Sequence, residues 1–316
     1  MTRESISFEI MQHVFGPVPS RRLGYSLGVD IIPPKHCSYD CVYCQIGKTT
    51  HVETTRKSFY DPGSIIEQVM EKVSQPDMID VITFSGSGEP TLNSDLGFMI
   101  REIKRKTSIP VAVITNGSLL CDKGVRDDLK EADMVLPSLD AVSQTVFERI
   151  NRPHHSLDVQ AVIEGLRAFR AEFDRQIWLE IMLIKNINDD PEELKKMAEV
   201  VSGLDMDRIQ LNTVTRPPSE SSAARLIDAE LKDICKMFGP SCEIISIFEK
   251  AAEIHVEPAT ASIILETLKR RPLTLDDVVR ITGMSHFEAK TRLNILEKEG
   301  RITTYVLNDE LFYVSP

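Results

Sequence analysis

The sequence reads as an α/β protein: a partial (β/α)6 barrel over residues 1–250 and a small winged-helix domain over residues 256–316. Three observations predict this. Short apolar strands alternate with amphipathic helices for most of the chain. About six such units occur, too few for a full eight-stranded barrel. Near residue 256 the pattern changes to short capped helices and a hairpin. Continuous apolar strands separated by helices argue for a parallel sheet covered on both faces, with ligands gathering at the carboxyl ends of the strands.

The elements follow in order. Strands are expected at Ser26–Ile32, Val81–Phe84, Val111–Ile114, Met134–Leu139, Ile177–Leu183 and Arg208–Val214. Between them, Asp61–Val73 places Ile65, Ile66 and Val69 on one helical face. Leu157–Phe173 does the same with Val162, Ile163, Leu166 and Phe169, and Pro191 suits the first position of a further helix. A hinge is expected between Glu249 and Thr260. Thr260 then caps a helix carrying Ile263, Ile264 and Leu268, and Thr274 precedes a second helix stopped by Gly283. Ser285 and Glu288 form a capping box for a third, stopped by Gly300. Strands Ile302–Leu307 and Leu311–Val314, joined at Asn308-Asp309, complete the wing.

The chain has 316 residues, 42% hydrophobic and 27% charged, with a net charge of −11. A dominant non-specific hold on nucleic acid calls for a basic surface, which this balance disfavours without excluding a local basic patch. Residues 256–316 carry eight Lys/Arg and nine Asp/Glu, so the winged helix suits protein docking or dimerisation as well as nucleic acid. No apolar run approaches the roughly 18 residues that span a membrane. The opening residues lack the features of a signal peptide, so a cytoplasmic protein is expected.

The chemistry concentrates in Lys35-His36-Cys37-Ser38-Tyr39-Asp40-Cys41-Val42-Tyr43-Cys44-Gln45. Cys37, Cys41 and Cys44, spaced C-x3-C-x2-C, can wrap one corner of a cubane iron–sulfur cluster and leave its fourth iron without a protein ligand. A zinc knuckle is the alternative. It needs a fourth ligand, for which His36 or His51 is near, but the usual second cysteine pair is missing. Cys121, Cys235 and Cys242 are scattered and suit inert thiols; Cys235 and Cys242 alone are too few to hold a second cluster.

This motif resembles that of the radical S-adenosylmethionine (SAM) enzymes. In that superfamily three cysteines hold a [4Fe–4S] cluster, SAM chelates the open iron, and one electron releases a 5′-deoxyadenosyl radical. Other pieces fall into place. The strand Val81–Phe84 runs into Ser85-Gly86-Ser87-Gly88-Glu89-Pro90-Thr91, which resembles the family's GGE segment for the SAM amino group. Here Gly-Ser-Gly-Glu replaces the plain glycine pair and leaves Glu89 in place. The resemblance implies Asn116 and Ser138 near the methionine part of SAM and Asp140 near the ribose or the substrate. Arg152 is a candidate for the SAM carboxylate. Asn212 and Thr213 offer contacts to the adenosyl part, and Arg216 to an anionic substrate. Glu180 and Lys185 flank the fifth strand, with the direction of Glu180 open. Arg21 and Arg22 are placed to meet phosphate or carboxylate.

The run Gly16–Gly28, with the cysteine loop, is similar to a subgroup described as wyosine-synthase-like iron–sulfur oxidoreductases. The likeness extends from Phe15 to Pro218. It implies an electron donor such as ferredoxin or flavodoxin and a tRNA base as substrate, with a protein or peptide docked on the winged helix as the alternative. A third reading is not an enzyme: a redox-sensing regulator whose cluster controls a DNA-binding winged helix. Such a regulator needs neither the Gly-Ser-Gly-Glu segment nor polar strand ends, and its winged helix should be basic.

Overall fold

A computed structural model describes residues 12–75, 78–245 and 261–316. The hinge expected between Glu249 and Thr260, and the Thr260 cap, lie outside the described residues. Two strands open the fold, β1 (Val14–Ser20) and β2 (Gly24–Val29). Two short pairing segments, β3 (His36–Cys37) and β4 (His51–Val52), frame the cysteine loop, and α1 (Pro62–Val73) follows. The chain then alternates: β5 (Val81–Phe84), α2 (Leu96–Lys106), β6 (Val111–Thr115), α3 (Lys123–Leu129), β7 (Met134–Pro137), α4 (Gln144–Ile150), α5 (Val159–Glu172), β8 (Gln176–Leu183), α6 (Pro191–Ser202), β9 (Arg208–Thr213), α7 (Asp228–Met237) and β10 (Cys242–Ile244).

These strands form one eight-stranded sheet in the order β1-β2-β5-β6-β7-β8-β9-β10. β1 is antiparallel to β2, and the other pairings are parallel. The six expected strands are present. The sequence did not signal β1 or β10. Pro17 and Pro19 obscure β1, which tolerates them because it is an edge strand, and β10 is only three residues long.

Local chemistry explains the helix starts. Asp61, Asp158 and Asp190 cap α1, α5 and α6 by accepting backbone N–H bonds, and Pro191 opens α6. The apolar faces of α1 and α5 are buried against the sheet as their spacing predicts. Cys235 and Cys242 correct the expectation of inert thiols. They pair as a disulfide, Cα to Cα 5.7 Å, between α7 and β10. Cys121 is a free, exposed thiol.

The C-terminal segment forms α8 (Ala261–Leu268), α9 (Leu275–Thr282) and α10 (His286–Lys298), then the hairpin β11 (Thr303–Leu307) and β12 (Glu310–Val314). Thr274–Asp277 and Ser285–Glu288 are reciprocal capping boxes. Asn308 and Asp309 both take positive φ, the conformation that a tight two-residue hairpin turn requires. A cluster of Ile264, Leu268, Val278, Leu293 and Leu296 forms this unit's core, and Val18 of β1 packs into it. Among the described residues no helix is long and apolar enough to cross a membrane.

Candidate active site

Cys37, Cys41 and Cys44 lie on the loop after β2, free and half-buried, and line one cavity of about 410 Å³. Backbone turns set their spacing. Cys44 N–H donates to the Cys41 carbonyl at 3.1 Å, and Gly47 N–H to the Cys44 carbonyl at 3.2 Å. Gly47 sits at φ 90°, a conformation that suits glycine. Two side-chain amides aim at the sulfurs: Asn116 Nδ2 donates to Cys37 Sγ at 3.5 Å and Asn151 Nδ2 to Cys41 Sγ at 3.4 Å.

Burial, with the Glu89 charge adding to it, pushes the Cys37 thiol up to about 12. Burial also raises Cys41 and Cys44. Such thiols give up their protons only to strong positive charge, which a metal centre supplies. Three soft donors, hydrogen bonds to the sulfurs and a low-dielectric wall fit an iron–sulfur cluster. Among the described residues no three His, Cys, Asp or Glu side chains close around one ion position. A zinc knuckle needs such convergence, whereas a cubane spreads its cysteines over separate irons.

A buried network stands behind the loop. Tyr43 Oη donates to Asp140 Oδ2 at 2.5 Å, Asn151 Nδ2 to the same oxygen at 2.7 Å, and Met182 N–H to Asp140 Oδ1 at 2.9 Å. Burial raises the Asp140 carboxyl to about 6 against these three hydrogen bonds. Asp140 thus ties the cysteine loop to β8 and lies outside the residues that line the cavity.

The loop after β5 forms the next wall. Burial raises the Glu89 carboxyl. Its oxygens accept from Thr91 Oγ1 (2.6 Å), Thr115 Oγ1 (2.6 Å) and Asn116 N–H (2.7 Å). Asp30, directly after β2, accepts from Ser87 N–H at 3.1 Å and Ser87 Oγ at 2.5 Å. Gly88 is where this loop meets the cysteine loop: a Cβ there would sit 1.8 Å from the His36 carbonyl oxygen, and Glu89 N–H donates to that oxygen at 3.2 Å. Gly88→Ala is therefore expected to push the two loops apart. It should cost roughly 1–3 kcal/mol or more, as overpacking does, read as a lower urea midpoint together with poorer iron loading on reconstitution.

Asn116, Ser138, Asn212 and Thr213 at the strand ends and Glu180 within β8 all line the cavity. Glu180 points inward. It pairs with Arg22 at 2.6 Å and accepts from Asn212 Nδ2 at 2.8 Å; burial pushes its carboxyl up, but Arg22 and Asn212 outweigh this and the net direction is down. Thr213 Oγ1 is engaged in the wall, donating to the Leu183 carbonyl and accepting from Leu226 N–H. Arg152 stands apart, 41% exposed and paired with Glu220 at 2.7 Å. Lys185 also faces away, onto Glu230 and Asp189. Sequence reasoning missed Asp30, Tyr43 and Asn151 as supports, and Arg270 and Arg271, which the C-terminal unit adds to the cavity wall. The one available signal was Asp30, a carboxylate inside an otherwise apolar strand end.

The family model described as Radical SAM superfamily matches residues 31–198. The chain is 40% identical over 310 residues to a protein named GTPase Obg of Brachyspira hyodysenteriae, covering 96% of this chain but 45% of that one. It thus spans less than half the length of that relative. It is 33% identical to a UPF0026 protein of Helicobacter pylori strain J99, covering 92% and 96% of the two chains. Weaker likeness, 27% identity over 63% of this chain and 58% of the other, reaches a probable dual-specificity RNA methyltransferase of Petrotoga mobilis. The solved structure of TYW1 with a lysine-pyruvate adduct shares the fold, with TM-score 0.52 and 18% identity over 71% of this chain and 75% of that one.

Proposed function

The chain belongs to the radical SAM superfamily, and we propose that it is an RNA-modifying member that acts on a tRNA base. The class uses a [4Fe–4S] cluster and SAM, which together supply one-electron cleavage of the sulfonium C–S bond to give a 5′-deoxyadenosyl radical. Cys37, Cys41 and Cys44 would hold the cluster, with Asn116 and Asn151 tuning it through their bonds to sulfur. Glu89, Asn116 and Ser138 are assigned to the methionine end of SAM, and Asn212 and Thr213 to the adenosyl end. Asp140 acts from behind the wall by fixing Tyr43 and the cysteine loop. Arg152, engaged with Glu220, is assigned no role in SAM binding.

The observation that carries this reading is the one cavity shared by three thiols, Glu89 and the polar strand ends. RNA is favoured as substrate by the likeness to a named RNA methyltransferase. We read the three helices and hairpin as a winged helix that helps dock it. Free thiols for the cluster favour a reducing compartment, which we read as the cytoplasm, with ferredoxin or flavodoxin as electron donor. A peptide substrate is the second reading, favoured by the exposed Phe287, Val306 and Leu311 of the C-terminal unit.

The test is anaerobic. Protein reconstituted with iron and sulfide receives dithionite and SAM, with and without bulk tRNA, and 5′-deoxyadenosine is measured. Formation that tRNA accelerates is expected. Formation indifferent to tRNA would discard the RNA substrate and leave the chemistry. A fully assembled cluster that cleaves no SAM would sink the enzyme.

A further inference from the structure

The cavity has a second chemical character that the cluster and SAM residues leave unused. Five arginines line it, Arg21, Arg22, Arg216, Arg270 and Arg271, against two carboxylates, Glu89 and Glu180, although the chain's net charge is −11. They come from the turn between β1 and β2, the loop after β9, and the segment after α8. Two are neutralised: Arg22 by Glu180 at 2.6 Å and Arg270 by Asp30 at 3.0 Å.

The other three have no carboxylate within hydrogen-bond distance. Arg21 hydrogen-bonds only to neutral oxygens, Asn212 Oδ1 at 3.4 Å and Thr215 Oγ1 at 3.3 Å, with the Glu180 charge acting on it from further off. Arg216 has Asp277 at 4.0 Å, and its Nε is buried with no hydrogen-bond partner. Arg271 keeps both Nε and Nη2 buried with no partner. Burial and the Arg216 charge push Arg21 down to about 9 and Arg271 to about 10. Asp277, the capping-box residue of α9, is the carboxylate that faces both Arg216 and Arg271.

A buried donor left unmade is costly, more so when charged, and like charges in a low-dielectric wall repel. Folding therefore holds these three cations together at a loss that an incoming anion would relieve. Guanidinium forks match the paired oxygens of phosphate and carboxylate. We propose that Arg21, Arg216 and Arg271 form an oxyanion subsite for the substrate, completed by the C-terminal unit through Arg271, and that it takes a phosphate group. The choice of phosphate rests on the RNA reading above; the subsite does not.

The full chain, reduced but without cluster or SAM, is melted in sodium phosphate, sodium acetate and sodium chloride at matched ionic strength. Phosphate is expected to raise the melting temperature over chloride by on the order of 2–4 °C. Arg271→Gln and Arg21→Gln should each abolish that rise, and Arg292→Gln, an exposed control, should keep it. In chloride, Arg271→Gln should melt no lower than wild type, because it removes buried guanidinium N–H groups that have no hydrogen-bond partner and leaves Arg216 to face Asp277; a purely structural arginine would lower the melting temperature. If Arg271→Gln does not fold, Arg21→Gln carries the test from the barrel side.

No phosphate effect on wild type, or the same rise in every variant, overturns the subsite. A rise in acetate equal to that in phosphate overturns the choice of phosphate in favour of a carboxylate. In reconstituted protein, tenfold weaker SAM binding by Arg271→Gln in equilibrium dialysis overturns the assignment to substrate, because the oxyanion is then the SAM carboxylate. The melting needs no cluster, so absence of a phosphate effect on wild type with SAM cleavage intact sinks this proposal alone. Failure to cleave SAM sinks only the enzymatic reading.

Discussion

Cys41→Ala is expected to give a folded protein that assembles no stable cluster and forms 5′-deoxyadenosine only at background. Three thiols are the whole protein ligand set of a site-differentiated cubane, and among the described residues no other cysteine is free to replace one of them at the cavity. Cys235 and Cys242 are bonded to each other, and Cys121 is exposed and outside the cavity wall. The fold should survive, because the change removes one half-buried sulfur and its 3.4 Å bond from Asn151, a loss on the order of 1 kcal/mol. Iron and sulfide content, circular dichroism and 5′-deoxyadenosine read the three claims separately. Asn151→Leu gives the graded companion. It keeps all three ligands but removes the amide from Cys41 Sγ and from Asp140 Oδ2, so activity should fall roughly 10–100-fold, as losses behind a metal ligand do. Wild-type iron content and SAM cleavage in Cys41→Ala would refute the cluster assignment.

The parts of this molecule that were legible in the sequence are those written locally. Apolar runs such as Val81–Phe84 and Val111–Thr115 announce buried parallel strands because both their faces are covered. The cysteine spacing and the Gly-Ser-Gly-Glu turn are contiguous, so they could be read before the fold was known. What stayed hidden depends on distance along the chain. β1 has no apolar alternation of its own and is specified by pairing with β2. Asp140 invited a role beside SAM because it follows a strand, yet its partners Tyr43, Asn151 and Met182 come from three other segments and turn it into an internal brace. Arg152 looked available in sequence and is taken by Glu220, 68 residues further on. Arg270 and Arg271 belong to a segment that nothing local links to the cavity; only the docking of the C-terminal unit on β1 brings them there.

That docking has a testable latch. Arg270→Met is expected to destabilise the protein by about 3–5 kcal/mol, the usual consequence of stripping one partner from a buried ion pair. The Arg270 and Asp30 side chains are 9% and 7% exposed, and Nε donates to Asp30 Oδ2 at 3.0 Å. The same guanidinium donates to the Gln12 carbonyl at 3.0 Å and the Glu266 carbonyl at 2.8 Å, and it stacks on Phe15 at 4.6 Å. Methionine fills much of the space of the arginine stem, so the cost falls on Asp30, left charged in an apolar wall with only Ser87 as donor. Asp30→Asn in the same background should recover part of the loss, because it removes the orphaned charge; the double variant would then be less destabilised than the two single losses summed. Urea unfolding of the four proteins measures this. Asp30 also holds Ser87, two residues before Glu89, so loosening the latch should be felt in the loop that we assign to SAM. Amide exchange at Ser87 to Glu89 should quicken in Arg270→Met while the centre of β7 stays protected. Unchanged exchange there, with stability lost, would mean that the pair holds the C-terminal unit in place without communicating with the active site. Unchanged stability would mean that the unit is held by its apolar contact with Val18 and not by the ion pair.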